Sequence, residues 1–268
     1  LHCDSAFMLC WQIFLETQQN RLQYLRVLNY LTVLWGSVKK PYTFLLCSII
    51  CERNNMFMKL LSDEEAVSCF KAIPKDAFKD GNKSQPLENI KKNTESVTVP
   101  EEIRKLLISR IYDAHYIDSV YCPTRVSVNY YNQYEKGDYY NLHIDNFKAS
   151  PKSNNVFFDY GFSINLSDDY SGGEIYFQTE TGIIGRKLEL GEAVIFPIIY
   201  PHGVKEVTKG KRTNILGWFS SNVTYEQSYI LRNLYEVTQA LSKSQPEGLP
   251  TFTKSVLVQN YLKKEWGK

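Results

Sequence analysis

A histidine and an aspartate, one residue apart, end the stretch YEKGDYYNLHID at residues 134–145. In an extended strand, residues i and i+2 point to the same face, so the imidazole of His143 and the carboxylate of Asp145 can project side by side. They are two of the three ligands of a 2-His-1-carboxylate facial triad, the set that holds iron in non-haem Fe(II) oxygenases. The pair indicates a metal site if the chain supplies a second histidine.

The second histidine must come from a small set, since the chain has four: His2, His115, His143 and His202. His202 follows the turn-like Tyr200-Pro201 and begins a predicted strand, which a β-barrel can bring beside the strand of His143. His115 lies at the predicted end of a helix, where a surface or capping position is expected. An isolated HxD pair is more often structural, but with this context His202 is the predicted third ligand.

Arg212 lies ten positions after His202 (212 − 202 = 10), behind the turn Lys209-Gly210-Lys211. Its planar guanidinium can bind a carboxylate through two hydrogen bonds. It starts the apolar strand TNILGWF, where an unpaired charge would be costly, so a bound anion is favoured over a surface position. An oxygenase that uses 2-oxoglutarate needs such a group to hold the distal carboxylate.

Two tyrosines flank the turn before the HxD pair and are further candidates. Buried phenols usually find a hydrogen-bond partner, and a bound carboxylate would provide one for Tyr134 or Tyr140. Packing in the aromatic core is the alternative for either, because the chain has 19 tyrosines.

The elements that position these residues change along the chain. Ser62 stands three residues before Glu65, a capping-box spacing, and a second helix is predicted to begin near Pro100. Beyond Pro123 the hydrophobic period becomes two, in short strands separated by glycine-containing turns, which indicates a β-sandwich or barrel. After Val223 helical spacing returns in TYEQSYILRNLYEVTQALSK and SVLVQNYLKKEW. We therefore expect an α+β fold with the helices outside the β-core.

Composition narrows the class of protein. With 268 residues, of which 43% are hydrophobic, the chain can bury a sizeable core, and its formal charge of +2 gives no case for nucleic acid as the main partner. Six cysteines include no CxxC pair, so we predict free thiols in a reducing compartment, the cytoplasm.

Residues 1–55 differ from the rest, being rich in cysteine, leucine and aromatics. Their apolar run FLLCSIIC is too short to span a bilayer, which needs about 20 apolar residues. One interpretation is an N-terminal helical extension or a membrane-associated segment. The other, which we favour, is upstream translation before a natural start at Met56 or Met58, because the domain pattern begins there. We expect no membrane partner.

Three stretches resemble the 2-oxoglutarate/Fe(II) dioxygenases of the prolyl 4-hydroxylase-like group, most closely the bacterial PKHD-type hydroxylases: YEKGDYYNLHID, LSDDYSGGEIYF and LELGEAVIFPIIYPHGVKEVTKGKRTNILGWFSS. The resemblance covers about residues 56–268. It implies a double-stranded β-helix (jelly-roll) core with flanking N- and C-terminal helices. The expected organisation is an N-terminal extension (1–55), a dioxygenase domain (56–223, with helices in 62–115 and the β-core in 124–222) and a C-terminal helical segment packed on the core (224–268).

The resemblance also implies roles for the candidate residues. His143, Asp145 and His202 would ligate Fe(II). Arg212 would bind the distal carboxylate of 2-oxoglutarate, with a hydrogen bond from Tyr134, and Tyr140 would line the same pocket. The implied reaction consumes O2, releases succinate and CO2, and hydroxylates an unactivated C–H bond in a prolyl or other peptidyl substrate or in a small molecule. L-Ascorbate is implied as the reductant of the iron.

One position departs from the pattern. These enzymes often carry an arginine two residues before the aspartate that matches Asp159, and here that residue is Phe157. The difference bears on local strand contacts or substrate preference, and oxidative demethylation stays open as a related reaction.

A non-catalytic jelly-roll binding module is the alternative function, but such a module has no need for the triad together with Arg212. The substrate and the oligomeric state are left open.

Overall fold

The computed structural model describes residues 56–81, 90–96, 98–145, 157–179, 182–244 and 250–266. The predictions for residues 1–55 lie outside these ranges. The strands within them are β1 (Phe57–Lys59), β2 (Lys79–Asp80), β3 (Lys91–Lys92), β4 (Thr94–Ser96), β5 (Pro123–Tyr134), β6 (Tyr139–His143), β7 (Tyr160–Asn165), β8 (Tyr170–Gly172), β9 (Ile175–Thr179), β10 (Gly182–Arg186), β11 (Glu192–Pro197), β12 (His202–Val204), β13 (Val207–Gly210) and β14 (Arg212–Ser221). The helices are α1 (Asp63–Lys71), α2 (Glu101–Asp113), α3 (His115–Tyr121), α4 (Tyr225–Ser244) and α5 (Pro250–Trp266).

The strands pair in antiparallel fashion into two larger sheets. The seven-stranded sheet has the order β1-β11-β7-β14-β5-β4-β2, and the five-stranded sheet has the order β10-β9-β12-β6-β3. A short ribbon joins β13 to β8. Both larger sheets contribute side chains to one cavity, so their inner faces lie opposite each other. The core is the double-stranded β-helix that the sequence predicted, with flanking helices.

The longest pair of strands, β5 and β14, separates the cavity from the helical layer. Alternate residues of β14 point to opposite sides: Arg212 and Asn214 line the cavity, whereas Ile215 and Phe219 lie in the core beneath the helices. A β-bulge interrupts the pairing, since Leu216 lies opposite Tyr130 and Gly217 opposite Val128. The extra residue on β5 turns Val128 towards the helical core.

The helices pack on the outer side of the seven-stranded sheet through buried aliphatic side chains, among them Leu107, Ile111, Ile117 and Val120. The predicted capping box of α1 is confirmed: Glu65 N donates to Ser62 Oγ at 3.2 Å, and Ser62 N donates to Glu65 Oε2 at 3.0 Å. Arg110 Nε of α2 donates to Glu65 Oε1 at 3.1 Å, which ties the first two helices together. None of the helices in the described ranges is long and apolar enough to cross a membrane.

Several local predictions were wrong. Two helices were expected within residues 62–115, but the strands β2, β3 and β4 between them were not, and these strands extend one edge of each larger sheet. Helix α2 ends at Asp113. His115, which was predicted to lie at the end of that helix, is instead the first residue of α3. The strand β10 ends at Arg186, and Leu188 enters the core outside regular structure, which the period-two pattern did not indicate. Short elements of this kind are decided by sheet pairing, which local patterns do not show.

Two of the six cysteines lie in the described ranges. Cys69 and Cys122 are free thiols, and burial raises the pKa of both. The other four cysteines belong to residues 1–55.

Candidate metal and cosubstrate site

Strand register brings the two predicted histidines together. On the antiparallel strands β6 and β12, His143 lies directly opposite His202, so both side chains project from the same face. Their ring centroids are 4.4 Å apart. Asp145, two residues beyond His143, places Oδ1 at 3.5 Å from His143 Nε2 and at 3.7 Å from His202 Nε2. The three potential ligand atoms lie within 4.8 Å of one another.

Hydrogen bonds orient all three groups. His143 Nδ1 lies 2.9 Å from the carbonyl oxygen of Asn141, and His202 Nδ1 lies 2.9 Å from that of Tyr200. A carbonyl oxygen can only accept, so each Nδ1 carries a proton, and each Nε2 is the ring nitrogen that faces Asp145 and is available to a metal. Trp218 Nε1 donates to Asp145 Oδ2 at 2.8 Å, which leaves Oδ1 directed at the two imidazoles.

The charge states also suit a metal. Burial lowers the pKa of His202, which keeps its imidazole neutral at physiological pH, although the charge of Asp145 opposes this shift. Burial by itself would raise the pKa of Asp145, but interactions with His143, His202 and Trp218 outweigh it and lower that pKa. Metal ligands must be deprotonated, and a donor set of two imidazoles and one carboxylate fits Fe(II).

Arg212 lies at the inner end of the same cavity, at the start of β14 and opposite Tyr134 of β5. It is only 1% exposed. Its Nη1 donates to Asn214 Oδ1 at 2.7 Å, and its guanidinium carbon lies 5.2 Å from the centroid of the Tyr134 ring. Within the described ranges no carboxylate forms an ion pair with it. A buried cation without a counter-ion is costly, so an anionic ligand would compensate it.

The two predicted tyrosines hold different places in the cavity. Tyr134 lies beside Arg212, whereas the Tyr140 ring stacks on the imidazole of His143, with centroids 3.6 Å apart and planes 8° from parallel. Burial raises the pKa of both phenols, so each stays a hydrogen-bond donor at neutral pH.

The cavity that joins these groups is narrow, with a volume of about 50 Å³. All six residues predicted from the sequence line it. Sequence reasoning missed further lining residues, of which Asn214 and Trp218 are the most informative. Both follow Arg212 at even spacing on one strand, so extending the period-two pattern from Arg212 would have found them.

A glycine that the sequence marked only as a break between strands also belongs to this site. Gly173 has a φ of +67°, and a Cβ there would lie 3.0 Å from Arg212 Cδ. A side chain at this position would therefore strain the backbone and press on the arginine.

Comparison with known proteins agrees with this geometry. The model of the 2OG-Fe(II) oxygenase superfamily matches residues 126–220. A PKHD-type hydroxylase of Idiomarina loihiensis is 29% identical over 199 residues, which cover 70% of this chain and 87% of that protein. A PKHD-type hydroxylase of Prochlorococcus marinus is 30% identical over 174 residues, which cover 62% of this chain and 77% of that protein.

Among solved structures, a prolyl hydroxylase from Trichoplax adhaerens, in complex with a hypoxia inducible factor peptide fragment, aligns with a TM-score of 0.47 at 15% identity. The alignment covers 72% of this chain and 97% of that one. The sequence relatives decide the family, because they reach 30% identity over most of their own length. The chain belongs to the PKHD-type hydroxylases and is a 2-oxoglutarate/Fe(II)-dependent dioxygenase.

Proposed function

We propose that this enzyme hydroxylates an unactivated C–H bond of a prolyl or other peptidyl substrate, or of a small molecule, with release of succinate and CO2. The observation that carries the proposal is the meeting of His143, Asp145 and His202 in one cavity with a buried Arg212 that pairs with no carboxylate of the described residues. A binding module would have no use for a metal triad beside an anion site.

In the proposed site, His143, Asp145 and His202 would hold Fe(II). When bound, the iron supplies the activation of O2 that the oxidative half of the reaction needs. The protein contributes orientation: the carbonyl oxygens of Asn141 and Tyr200 fix the imidazoles, and Trp218 fixes the carboxylate. Such supporting hydrogen bonds commonly affect metal affinity strongly.

The cosubstrate end of the cavity is proposed to be built by Arg212 and Tyr134. The guanidinium would bind the distal carboxylate of 2-oxoglutarate, and the Tyr134 hydroxyl, protonated because burial raises its pKa, would donate to the same group. Tyr140 would line the pocket beside His143. A carboxylate bound here would provide the counter-ion that the described part of the chain does not supply to the buried guanidinium.

Three further predictions belong to this proposal. L-Ascorbate would keep the iron reduced, as the family resemblance implies. The catalytic domain would span residues 56–223, with residues 224–268 packed on it and residues 1–55 outside it. The free thiols fit a reducing compartment such as the cytoplasm.

The test is an anaerobic titration of the full chain with Fe(II) and then 2-oxoglutarate, followed by a screen for succinate release after O2 is admitted. Candidate substrates are proline-containing peptides, free amino acids and small metabolites. We expect stoichiometric binding of both ligands and substrate-stimulated succinate. Binding of a peptide or metabolite without any succinate would instead assign the chain to the non-catalytic binding modules.

A further inference from the structure

Lys91 and Glu95 lie where the chain crosses from one sheet to the other. Lys91 is in β3 of the five-stranded sheet, opposite Tyr140, and Glu95 is in β4 of the seven-stranded sheet, opposite Asn132. Tyr140 and Asn132 both line the cavity. Since directly opposed residues on neighbouring strands share a face, both charged side chains lie on the cavity side of their sheets.

The two side chains form an ion pair between the sheets. Lys91 Nζ contacts Glu95 Oε1, with side-chain exposures of 0% and 10%. Lys91 Nζ also lies over the Tyr140 ring, 5.0 Å from its centroid, and that ring stacks on His143. A buried ion pair adds little stability over apolar residues of similar volume, so packing of the fold gives no reason for these charges.

The pair lies close to the proposed cosubstrate end of the cavity. Glu95 lies opposite Asn132 of β5, and Asn132 lies opposite Asn214 of β14, whose Oδ1 accepts a hydrogen bond from Arg212 Nη1 at 2.7 Å. Burial is the main cause that raises the pKa of Tyr134, which lies beside Arg212, and the negative charge of Glu95 raises it further. A Glu95 carboxylate without its lysine would therefore place an uncompensated negative charge where an anionic ligand has to bind.

We infer that Lys91 is a positioning residue of the cosubstrate site. It neutralises Glu95, so that Arg212 provides the net positive charge at the inner end of the cavity, and it supports Tyr140 against His143. The inference rests on the proposed function, because it takes 2-oxoglutarate to be the anion that Arg212 binds.

The experiment measures the dissociation constant of 2-oxoglutarate by anaerobic equilibrium dialysis on the full chain loaded with Fe(II), without turnover. The variants are Lys91→Met, Glu95→Gln and the double substitution. Lys105→Met is the control, because Lys105 of α2 is 74% exposed and its partner Glu101, 4.0 Å away, is 67% exposed.

We expect Lys91→Met to weaken 2-oxoglutarate binding about tenfold or more, because Glu95 is left uncompensated in a region of low dielectric. Glu95→Gln should tighten binding about threefold or more, because Lys91 is then left without its counter-ion and adds positive charge near the bound anion. The double variant should bind within about threefold of the wild type, since the net charge is restored. Lys105→Met should match the wild type.

An unchanged constant in a folded Lys91→Met variant would overturn the inference, as would a double variant as weak as Lys91→Met alone. If Lys91→Met does not fold, Glu95→Gln decides, and an unchanged constant there refutes the charge argument. A wild-type protein that binds no 2-oxoglutarate refutes the proposed function together with this inference. If the wild type binds 2-oxoglutarate and none of the substitutions changes the dissociation constant, this inference is refuted and the proposed function is not.

Discussion

Replacement of Arg212 by methionine separates an anion-binding role from a structural one. The arginine is buried without a carboxylate partner in the described part of the chain, so methionine removes a desolvated charge while it keeps most of the volume. It also removes the hydrogen bond to Asn214. These two effects oppose each other, so we expect the melting temperature of the ligand-free protein to change little.

The effect on the cosubstrate should be large. Loss of one partner of a buried, hydrogen-bonded charge pair costs about 2–5 kcal/mol, which corresponds to a roughly 30-fold to several-thousand-fold weaker 2-oxoglutarate affinity. For the wild type, 2-oxoglutarate at one hundred times its dissociation constant should add about 2.7 kcal/mol of stability. In a domain of this size that is a rise in Tm of about 5–11 °C. At the same concentration the variant should keep at most about a third of this rise.

Calorimetry or dye-based melting with Fe(II) under anaerobic conditions measures both quantities. Arg212→Lys is the informative companion, because it keeps the charge but loses the planar fork, and its affinity should lie between those of the wild type and Arg212→Met. Fe(II) affinity without 2-oxoglutarate should stay unchanged in both variants. A ligand-free protein that melts much earlier, with an undiminished rise on adding 2-oxoglutarate, would refute the assignment and make Arg212 a structural residue.

Four further predictions follow from single contacts. His202→Ala should abolish succinate formation and Fe(II) binding in the titration, whereas a variant with wild-type turnover would remove His202 from the triad. Trp218→Phe keeps the aromatic packing against Tyr130, 5.9 Å away between centroids, but loses the donor to Asp145; Fe(II) affinity should fall about 10- to 100-fold, and an unchanged affinity would show that this hydrogen bond does not hold the ligand. Ser62→Ala should lower the free energy of unfolding by about 1 kcal/mol in urea without changing 2-oxoglutarate binding, because it removes only the cap of α1. Burial raises the pKa of the Cys69 thiol to about 11, so at pH 8 the thiol stays protonated and iodoacetamide should modify it only after denaturation; rapid labelling of the native protein would contradict this.

The prediction of the fold succeeded where the pattern was long and regular. Period two over residues 124–222 indicated the β-core, and the capping box at Ser62 gave the start of α1. It failed for β2, β3 and β4, which are only two or three residues long. Strands this short exist because neighbouring strands offer hydrogen-bond partners, and no local residue preference encodes that.

For the site, the sequence by itself determined which side chains are present and which of them share a strand face. The HxD spacing of His143 and Asp145, and the position of Arg212 at the start of an apolar strand, needed no coordinates. Tertiary structure decided that His202 faces His143, that Trp218 holds Asp145, and that Lys91 and Glu95 meet between the sheets. The physical reason is that spacing along one strand is fixed by backbone geometry, whereas partners across strands depend on register, which the turns, bulges and packing of the whole β-core set together.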